Sequence, residues 1–411
     1  MNDVATAPAF KASVPLRARI AAPLVLGALA RWRGGALTMR LPDGSARALG
    51  DPSQAPTVTV TVKDWQFFWR ALCAGDIGVG ESYMAGEWES SDLVEVCRCF
   101  LRDQSMLGSH STWSLPARLW HAWLRLRHIN SLKGSRRNIQ YHYDLSNDLY
   151  RLFLDESMMY SCAVFERDDA SLAEAQLSKI DQICRRLDLA PGMEVLEIGS
   201  GWGAFAIHAA RQYGCRVTSL TLSHEQLALA RERVAAAGVA ALVDIRLCDY
   251  RSIAGSFDRI VSIEMFEAVG YEYYGAFFGQ CSRMLKPDGR MFLQTIYKPD
   301  QRFDQYRRGF DWTRKYIFPG SLLASVYGIA HALKHHTAMR IEWMQDIGVH
   351  YARTLRAWRE RFMSRVPEVR QLGFDDRFIR MWEFYLASCE AAFATRYIGD
   401  AQMILAKPSI G

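Results

Sequence analysis

The sequence lacks the cysteine patterns of disulfide scaffolds and zinc sites. Its nine cysteines are scattered, odd in number and include no C-x-x-C pair, so we predict neither a disulfide framework nor a metal site. Reduced thiols, as in a cytosolic protein, are the expectation.

A long hydrophobic run is also missing. The longest uncharged apolar run near the N-terminus, IAAPLVLGALA, has about eleven residues, which is too short to span a bilayer. Residues 28–30 resemble a signal-cleavage triplet behind the basic Lys11, Arg17 and Arg19, which leaves secretion as an alternative. The cysteine pattern favours instead a first helix or strand of an N-terminal domain.

Neither sign of charge is in large excess. Lys and Arg number 50 against 44 Asp and Glu, which gives a net charge of +6. This balance predicts only a mild affinity for anionic surfaces, such as a membrane, nucleic acid or a phosphorylated substrate. With 411 residues, 50% of them hydrophobic, the chain is long enough for two domains with cores, and disorder is excluded.

The pattern along the chain changes twice. Residues 35–62 alternate apolar and polar positions, and TVTVTV at residues 57–62 is typical of a strand. Residues 107–140 combine tryptophans with arginines and predict a basic amphipathic linker helix. That helix either packs on the catalytic domain with a solvated basic face or contacts anionic phospholipid headgroups.

After residue 170, strand-like and helix-like segments alternate with short polar joints. This order predicts an α/β fold with a doubly wound, Rossmann-like sheet, in which ligands bind at the carboxyl ends of the strands. We expect an N-terminal α+β domain over residues 1–106, the linker over 107–140 and a catalytic domain over 141–411. A helical insertion near residues 300–360 would cover the active site.

Three glycines follow the first strand of this sheet, at VLEIGSGWGAF. Gly199, Gly201 and Gly203 would let the backbone approach a ligand where a side chain would collide. Read as G-x-G-x-x-A, the turn fits a dinucleotide site. Read as E-x-G-x-G-x-G from Glu197, it resembles the first motif of S-adenosylmethionine-dependent methyltransferases. The second strand ends at Thr221, without the acidic residue that holds an NAD ribose, which favours the methyltransferase.

Longer motifs resemble one family. The stretch YHYDLSNDLYRLFLDESMMYSCAVF at residues 141–165 is similar to the signature of cyclopropane-fatty-acyl-phospholipid synthases and their mycolic-acid methyltransferase relatives. Further matches follow in order: TLSHEQ at 221, SIEMFEAVG at 262, KYIFPG at 315 and SCEAAF at 388. GVGESYMAGEW at 78–88 resembles the extra N-terminal domain of the phospholipid-acting members. The likeness covers roughly residues 35–405.

The resemblance implies methyl transfer from S-adenosylmethionine to the cis double bond of an unsaturated phospholipid acyl chain, with closure of a cyclopropane ring. A bound bicarbonate would act as the base. Its cradle and the nearby active-site residues would be Cys162, Glu267, Gln294, Ile296, Tyr351 and Cys389. The cofactor would be held by Tyr160, Ser161, Glu197, Gly199, Gly201, Gly203, Thr221, Gln226, Asp249 and Tyr250. Without the resemblance, the two cysteines would be buried structural thiols.

One position departs from the family pattern. Where many members carry a histidine that helps to hold the bicarbonate, this chain has Gln294 in RMFLQTI. An amide can hydrogen-bond an anion but carries no positive charge and shuttles no proton. A methyl-branched product is therefore an alternative to the cyclopropane. An NAD-dependent oxidoreductase and a non-catalytic lipid-binding protein are alternatives from other classes.

The resemblance also sets the expected partners. They are unsaturated phospholipid acyl chains at a membrane surface, with peripheral membrane contact, no nucleic acid and no metal, and a second copy of the chain in a homodimer. The expected location is the cytoplasm, at the inner face of the membrane.

Overall fold

The structure is a computed structural model that describes residues 14–51, 57–102 and 146–408. The predicted basic linker at 107–140 lies outside the described residues, so its helix and its membrane contact stay predictions, as do the predicted domain boundaries on either side of it. The described residues form two compact units. One contains residues 14–51, 57–102 and 376–384, and the other contains residues 146–375 and 385–408.

The first unit is a small sheet with three helices. Its elements are α1 (Leu16–Leu29), β1 (Ala36–Arg40), β2 (Ala46–Gly50), β3 (Thr57–Val62), α2 (Gln66–Met84), β4 (Trp88–Ser90) and α3 (Leu93–Arg102). The strands lie in the order β2-β1-β3-β4, with β1 parallel to β3 and antiparallel to β2. In β3 the three valines of TVTVTV are buried, as the alternation predicts. The α2 helix is broken at Gly75, where φ is 57°.

The second unit contains a seven-stranded sheet. Its elements up to the fifth strand of the sheet are α4 (Asn147–Phe153), α5 (Leu172–Arg186), β5 (Glu194–Ile198), α6 (Ala204–Tyr213), β6 (Arg216–Thr221), α7 (His224–Ala236), β7 (Val243–Leu247), β8 (Phe257–Ile263), α8 (Tyr274–Met284) and β9 (Leu285–Tyr297). Then follow α9 (Asp300–Arg308), α10 (Trp312–Tyr316), α11 (Val326–His336), β10 (Arg340–Asp346), α12 (Gly348–Ser364), α13 (Val366–Gln371), α14 (Asp376–Ala394) and β11 (Gly399–Ala406). The first nine residues of α14 belong to the first unit.

The sheet has the order β10-β11-β9-β8-β5-β6-β7. The five strands from β9 to β7 are parallel, whereas β11 runs antiparallel to both β9 and β10. Neighbouring residues of β5 belong to two different apolar clusters, Val195 to one and Leu196 to the other. Since successive side chains of a strand point to opposite faces, both faces of the sheet are covered, as in a doubly wound fold. The predicted α/β fold class is confirmed.

The predicted insertion differs in one detail. Helices α9, α10 and α11 follow β9, as expected, but β10 at Arg340–Asp346 is an edge strand of the sheet. Its outward residues are largely exposed, which gives a weak hydrophobic signal for a strand. In the described ranges, no helix is both long and apolar enough to cross a membrane.

Candidate active site

The glycine turn joins β5 to α6 with a backbone that suits glycine. The φ angles of Gly199, Gly201 and Gly203 are 101°, 48° and 85°. A Cβ added to Gly201 would meet no atom within 4 Å, because this residue faces a pocket of about 150 Å³. A Cβ on Gly203 would lie 3.5 Å from Ala230 instead. Gly201 therefore leaves room for a ligand, whereas Gly203 serves the turn into α6.

The pocket lies at the carboxyl ends of the parallel strands, where ligands bind in such sheets. Nine of the ten predicted cofactor residues line it, and Gly203 does not. The nine are Tyr160, Ser161, Glu197, Gly199, Gly201, Thr221, Gln226, Asp249 and Tyr250. The residues that the sequence predicts for the cofactor thus lie together on the wall of one pocket. Their binding roles stay predictions.

Three polar groups of the wall are already oriented. Glu197 lies one residue before the end of β5 and accepts a hydrogen bond from the Ser219 hydroxyl. Burial raises the pKa of Glu197 to about 8. The Thr221 hydroxyl donates to Oε1 of Gln226 at 2.9 Å, and this bond fixes the orientation of the amide. Asp249 accepts bonds from the Arg251 guanidinium at 2.7 to 2.8 Å.

Helix α5 holds the wall segment at Tyr160 and Ser161. Lys179 donates to the Ser161 hydroxyl at 2.6 Å, and Gln176 donates to the Ser161 carbonyl at 2.9 Å. Both helix residues are fully buried, and burial lowers the pKa of Lys179 to about 8. Sequence reasoning missed this pair. The signal was two polar residues on the apolar stripe of an amphipathic helix.

Glu264 directly follows β8 and joins the pocket to a buried polar cluster. It lines the pocket, and its Oε1 accepts from the backbone N–H of Cys162 and from Nε2 of Gln294, both at 2.8 Å. Its Oε2 accepts from the Tyr351 hydroxyl at 2.5 Å. Glu264 was not predicted, although it stands inside the motif SIEMFEAVG; its position at the end of a parallel strand was the available signal.

Glu267 lies three residues further on and is held by other donors. Its Oε1 accepts from the Thr295 hydroxyl at 2.8 Å and from the backbone N–H of Ile296 at 2.5 Å. Its Oε2 is buried without a hydrogen-bond partner. Burial and the neighbouring charge of Glu264 raise the pKa of Glu267 to about 8. At neutral pH the chain thus holds a largely protonated carboxyl here.

Asp400 completes a group of three carboxyls. It is fully buried at the start of β11, beside Ile296 in the register of β9 and β11. Its Oδ2 accepts from Gln294 at 3.0 Å. Burial and the charges of Glu264 and Glu267 raise the pKa of Asp400 well above its usual range. Glu267 and Asp400 are both buried with raised pKa values, so the two carboxyls are not both ionised at neutral pH.

The structure brings five of the six predicted catalytic residues into this cluster. Cys162 and Ile296 take part through their backbone N–H groups, whereas burial and the charge of Asp400 raise the pKa of the Cys162 thiol well above its usual range. Cys389 is partly buried on α14, one turn after Tyr385, whose hydroxyl lies 3.0 Å from that of Tyr160. The catalytic roles of all six stay predictions.

The donors of the predicted bicarbonate cradle are taken by the protein itself. The single hydrogens of Cys162 N and of the Tyr351 hydroxyl go to Glu264, and that of Ile296 N goes to Glu267. Gln294 uses both amide hydrogens, one for Glu264 and one for Asp400. A further anion would find no donor in this set and would face three carboxyls. The residues present therefore do not fit bicarbonate.

Comparison with known proteins agrees with this fold. Residues 130–403 match the family described as mycolic acid cyclopropane synthetase. A tuberculostearic acid methyltransferase of Mycobacterium tuberculosis (strain ATCC 25618 / H37Rv) is 42% identical over 401 residues, which is 95% of this chain and 92% of that protein. The cyclopropane-fatty-acyl-phospholipid synthase of Escherichia coli (strain K12) is 39% identical over 354 residues, or 85% of this chain and 87% of that protein.

A solved structure shows the same likeness. A mycolic acid cyclopropane synthase complexed with SAH and CTAB superposes with a TM-score of 0.62 at 34% identity, covering 66% of this chain and 98% of that one. The predicted family resemblance is confirmed, and the methyltransferase interpretation of the glycine turn is favoured over the dinucleotide one. The chain belongs to the mycolic acid cyclopropane synthetase family of S-adenosylmethionine-dependent methyltransferases.

Proposed function

We propose that this chain transfers the methyl group of S-adenosylmethionine to the cis double bond of an unsaturated phospholipid acyl chain, and that loss of a proton from this methyl closes a cyclopropane ring. One observation carries the proposal: the glycine-turn pocket and the buried carboxyl cluster share a wall residue, Glu264. A methyl donor bound in this pocket would lie next to groups that can accept a proton. Alkene methylation needs this pairing, because it leaves a cation that must lose a proton.

Aromatic rings beside the cluster suit that cation. The Tyr160 ring lies 5.2 Å from Trp358, and Tyr351 stacks on Phe393 at 4.3 Å. An aromatic face stabilises a desolvated cation by about 0.5 to 2 kcal/mol. Trp358, Tyr351 and Phe393 are buried, and such rings exclude water, which would otherwise capture the cation.

A methyl-branched alkene is the second candidate product. It would arise if the cation lost a proton from the chain instead of from the new methyl. Two points favour it: this chain has Gln294 where the family resemblance leads us to expect histidine, and a relative named as a tuberculostearic acid methyltransferase matches 95% of this chain. Both products add the same mass to the acyl chain, so mass alone does not separate them.

Proton NMR of lipids from a bacterial host that expresses this chain tests the proposal. We expect the strongly upfield ring-methylene signal together with a loss of olefinic protons, compared with the host alone. A new methyl branch with olefinic signal retained would replace the cyclopropane by the second candidate. Lipids identical to those of the host, with the folded protein present, would contradict methyl transfer to acyl chains altogether.

A further inference from the structure

We propose that the Glu264 carboxylate is the resident base of this enzyme and takes the place that bicarbonate holds in the family pattern. This inference rests on the proposed methyl transfer. Of the four predicted cradle residues that carry a donor, three direct it to Glu264: Cys162 N, Gln294 Nε2 and the Tyr351 hydroxyl. The fourth, Ile296 N, donates to Glu267. The Glu264 carboxylate therefore has most of the hydrogen-bond environment expected for the bound ion.

The backbone at Glu264 is built for this placement. Its φ angle is 47°, a strained conformation that non-glycine residues rarely adopt. Its N–H donates to the Gln294 carbonyl at 2.8 Å. This left-handed conformation at the end of β8 places the Glu264 side chain both in the carboxyl cluster and on the wall of the cofactor pocket. Strain of this kind is maintained at functional sites by the surrounding contacts.

Among the three carboxyls, Glu264 has the position that a base needs. It is partly exposed and lines the cofactor pocket, whereas Glu267 and Asp400 are buried and do not line it. It also accepts three hydrogen bonds, while Glu267 has one oxygen without a partner. Glu264 is therefore the accessible member of the group and the one that faces the cofactor pocket.

The reaction balances with Glu264 as the proton acceptor. The π pair of the acyl double bond forms the bond to the transferred methyl, while the sulfonium C–S bond breaks and leaves its pair on sulfur. The Glu264 carboxylate then takes a proton from the new methyl, and the C–H pair closes the ring onto the cationic carbon. The proton leaves Glu264 to water after the product departs. No diffusible base takes part.

Two substitutions separate a base from a structural group. In Glu264→Gln, the amide oxygen can keep the bonds from Cys162 and Gln294 while its NH₂ donates to the Tyr351 oxygen, so the fold is preserved but the base is lost. In Glu264→Gly, the cradle is emptied, and the φ of 47° suits glycine. Glu232→Gln, exposed on α7, is the matched control. Unchanged binding of S-adenosylhomocysteine by calorimetry identifies folded variants.

The assay measures acyl methylation in carbonate-free buffer and with added bicarbonate. We expect wild type and Glu232→Gln to be indifferent to bicarbonate, and Glu264→Gln to lose about 100-fold or more of the rate in both buffers, the usual contribution of a general base. Glu264→Gly should be inactive until bicarbonate is added. Wild type that requires bicarbonate, or Glu264→Gln at the wild-type rate, would overturn the proposal.

Binding of ¹³C-labelled bicarbonate, followed by NMR line broadening with S-adenosylhomocysteine present, gives a readout apart from activity. Glu264→Gly should bind the ion and wild type should not; equal binding by both would refute the replacement. This measurement also separates the two proposals. If wild type methylates no acyl chain, the proposed function fails, while the contrast in bicarbonate binding still decides whether Glu264 fills the cradle.

Discussion

Replacing Glu267 by glutamine should make the protein more stable than the wild type, by an amount that grows as the pH rises. The Glu267 carboxyl has an ordinary pKa of 4.5, and burial followed by the charge of Glu264 raises it to about 8 in the folded state. When folding raises the pKa of an acid, its contribution to stability is fully present below the pKa of the unfolded state. That contribution is lost as the pH rises toward the pKa of the folded state. The wild type therefore loses stability between pH 4.5 and pH 8, and a side chain that cannot ionise does not.

The size of this effect follows from the two pKa values. Each tenfold change in proton affinity corresponds to about 1.4 kcal/mol, so the advantage of Glu267→Gln should grow by about 3 kcal/mol from pH 5 to pH 8. The amide oxygen can still accept from Thr295 and Ile296, and its NH₂ takes the position of the unpartnered Oε2. The two proteins should thus be nearly equal at pH 5.

Urea unfolding at pH 5, 6, 7 and 8 measures the difference directly. The exposed Glu232→Gln is the control and should follow the wild type at every pH. Buried carboxyls outside the cluster, such as Glu197, titrate in the same way in both proteins, so their contributions cancel in the comparison. Parallel stability profiles of wild type and Glu267→Gln would show that Glu267 is ionised in the folded protein and that the argument from burial is wrong.

Two further predictions concern the cofactor and the membrane. Gly201→Val should abolish binding of S-adenosylmethionine in calorimetry, because the valine side chain would enter the pocket. Gly192→Val is the control: Gly192 also has a positive φ, 83°, but lies at an exposed site, so this variant should bind normally. Equal affinities of the two folded variants for S-adenosylmethionine would show that the glycine turn has only a structural role. Neutralising the linker arginines should weaken sedimentation with anionic vesicles by about 1 kcal/mol per residue at low salt and less at high salt. If the neutralised variant binds the vesicles at low salt as well as the wild type does, the basic face of the linker is exposed to solvent and does not contact headgroups. The arginines are Arg118, Arg125, Arg127, Arg136 and Arg137.

The sequence predicts the sheet and the cofactor wall well, for a physical reason. Strands such as β5 and β8 are short segments rich in valine, leucine and isoleucine, and the glycine at 201 marks a place where the backbone leaves room for a ligand. In a parallel sheet, the carboxyl ends of neighbouring strands lie together, so residues far apart in sequence converge without knowledge of the detailed packing. The family resemblance located Thr221 and Asp249, and their places at the end of β6 and just after β7 agree with this rule.

The carboxyl cluster could not be predicted in the same way. The Gln294–Asp400 hydrogen bond joins residues 106 positions apart, and it depends on β11 pairing antiparallel with β9 in one register. A shift by one residue would turn the Asp400 side chain to the other face of the sheet. The strain at Glu264 was equally invisible, since no residue type at that position signals a positive φ.

The role of Gln294 becomes clear from its hydrogen bond to Glu264. A neutral imidazole has one N–H to donate, whereas an amide has two, and Gln294 uses both to bridge Glu264 and Asp400 at 2.8 and 3.0 Å. Its oxygen is held in turn by Gln402 at 3.1 Å, which fixes the orientation of the amide. A cationic histidine is suited to hold a mobile anion by charge, but a carboxylate that is covalently part of the chain needs orientation more than attraction. The departure from the family pattern at Gln294 is therefore what a resident carboxylate requires.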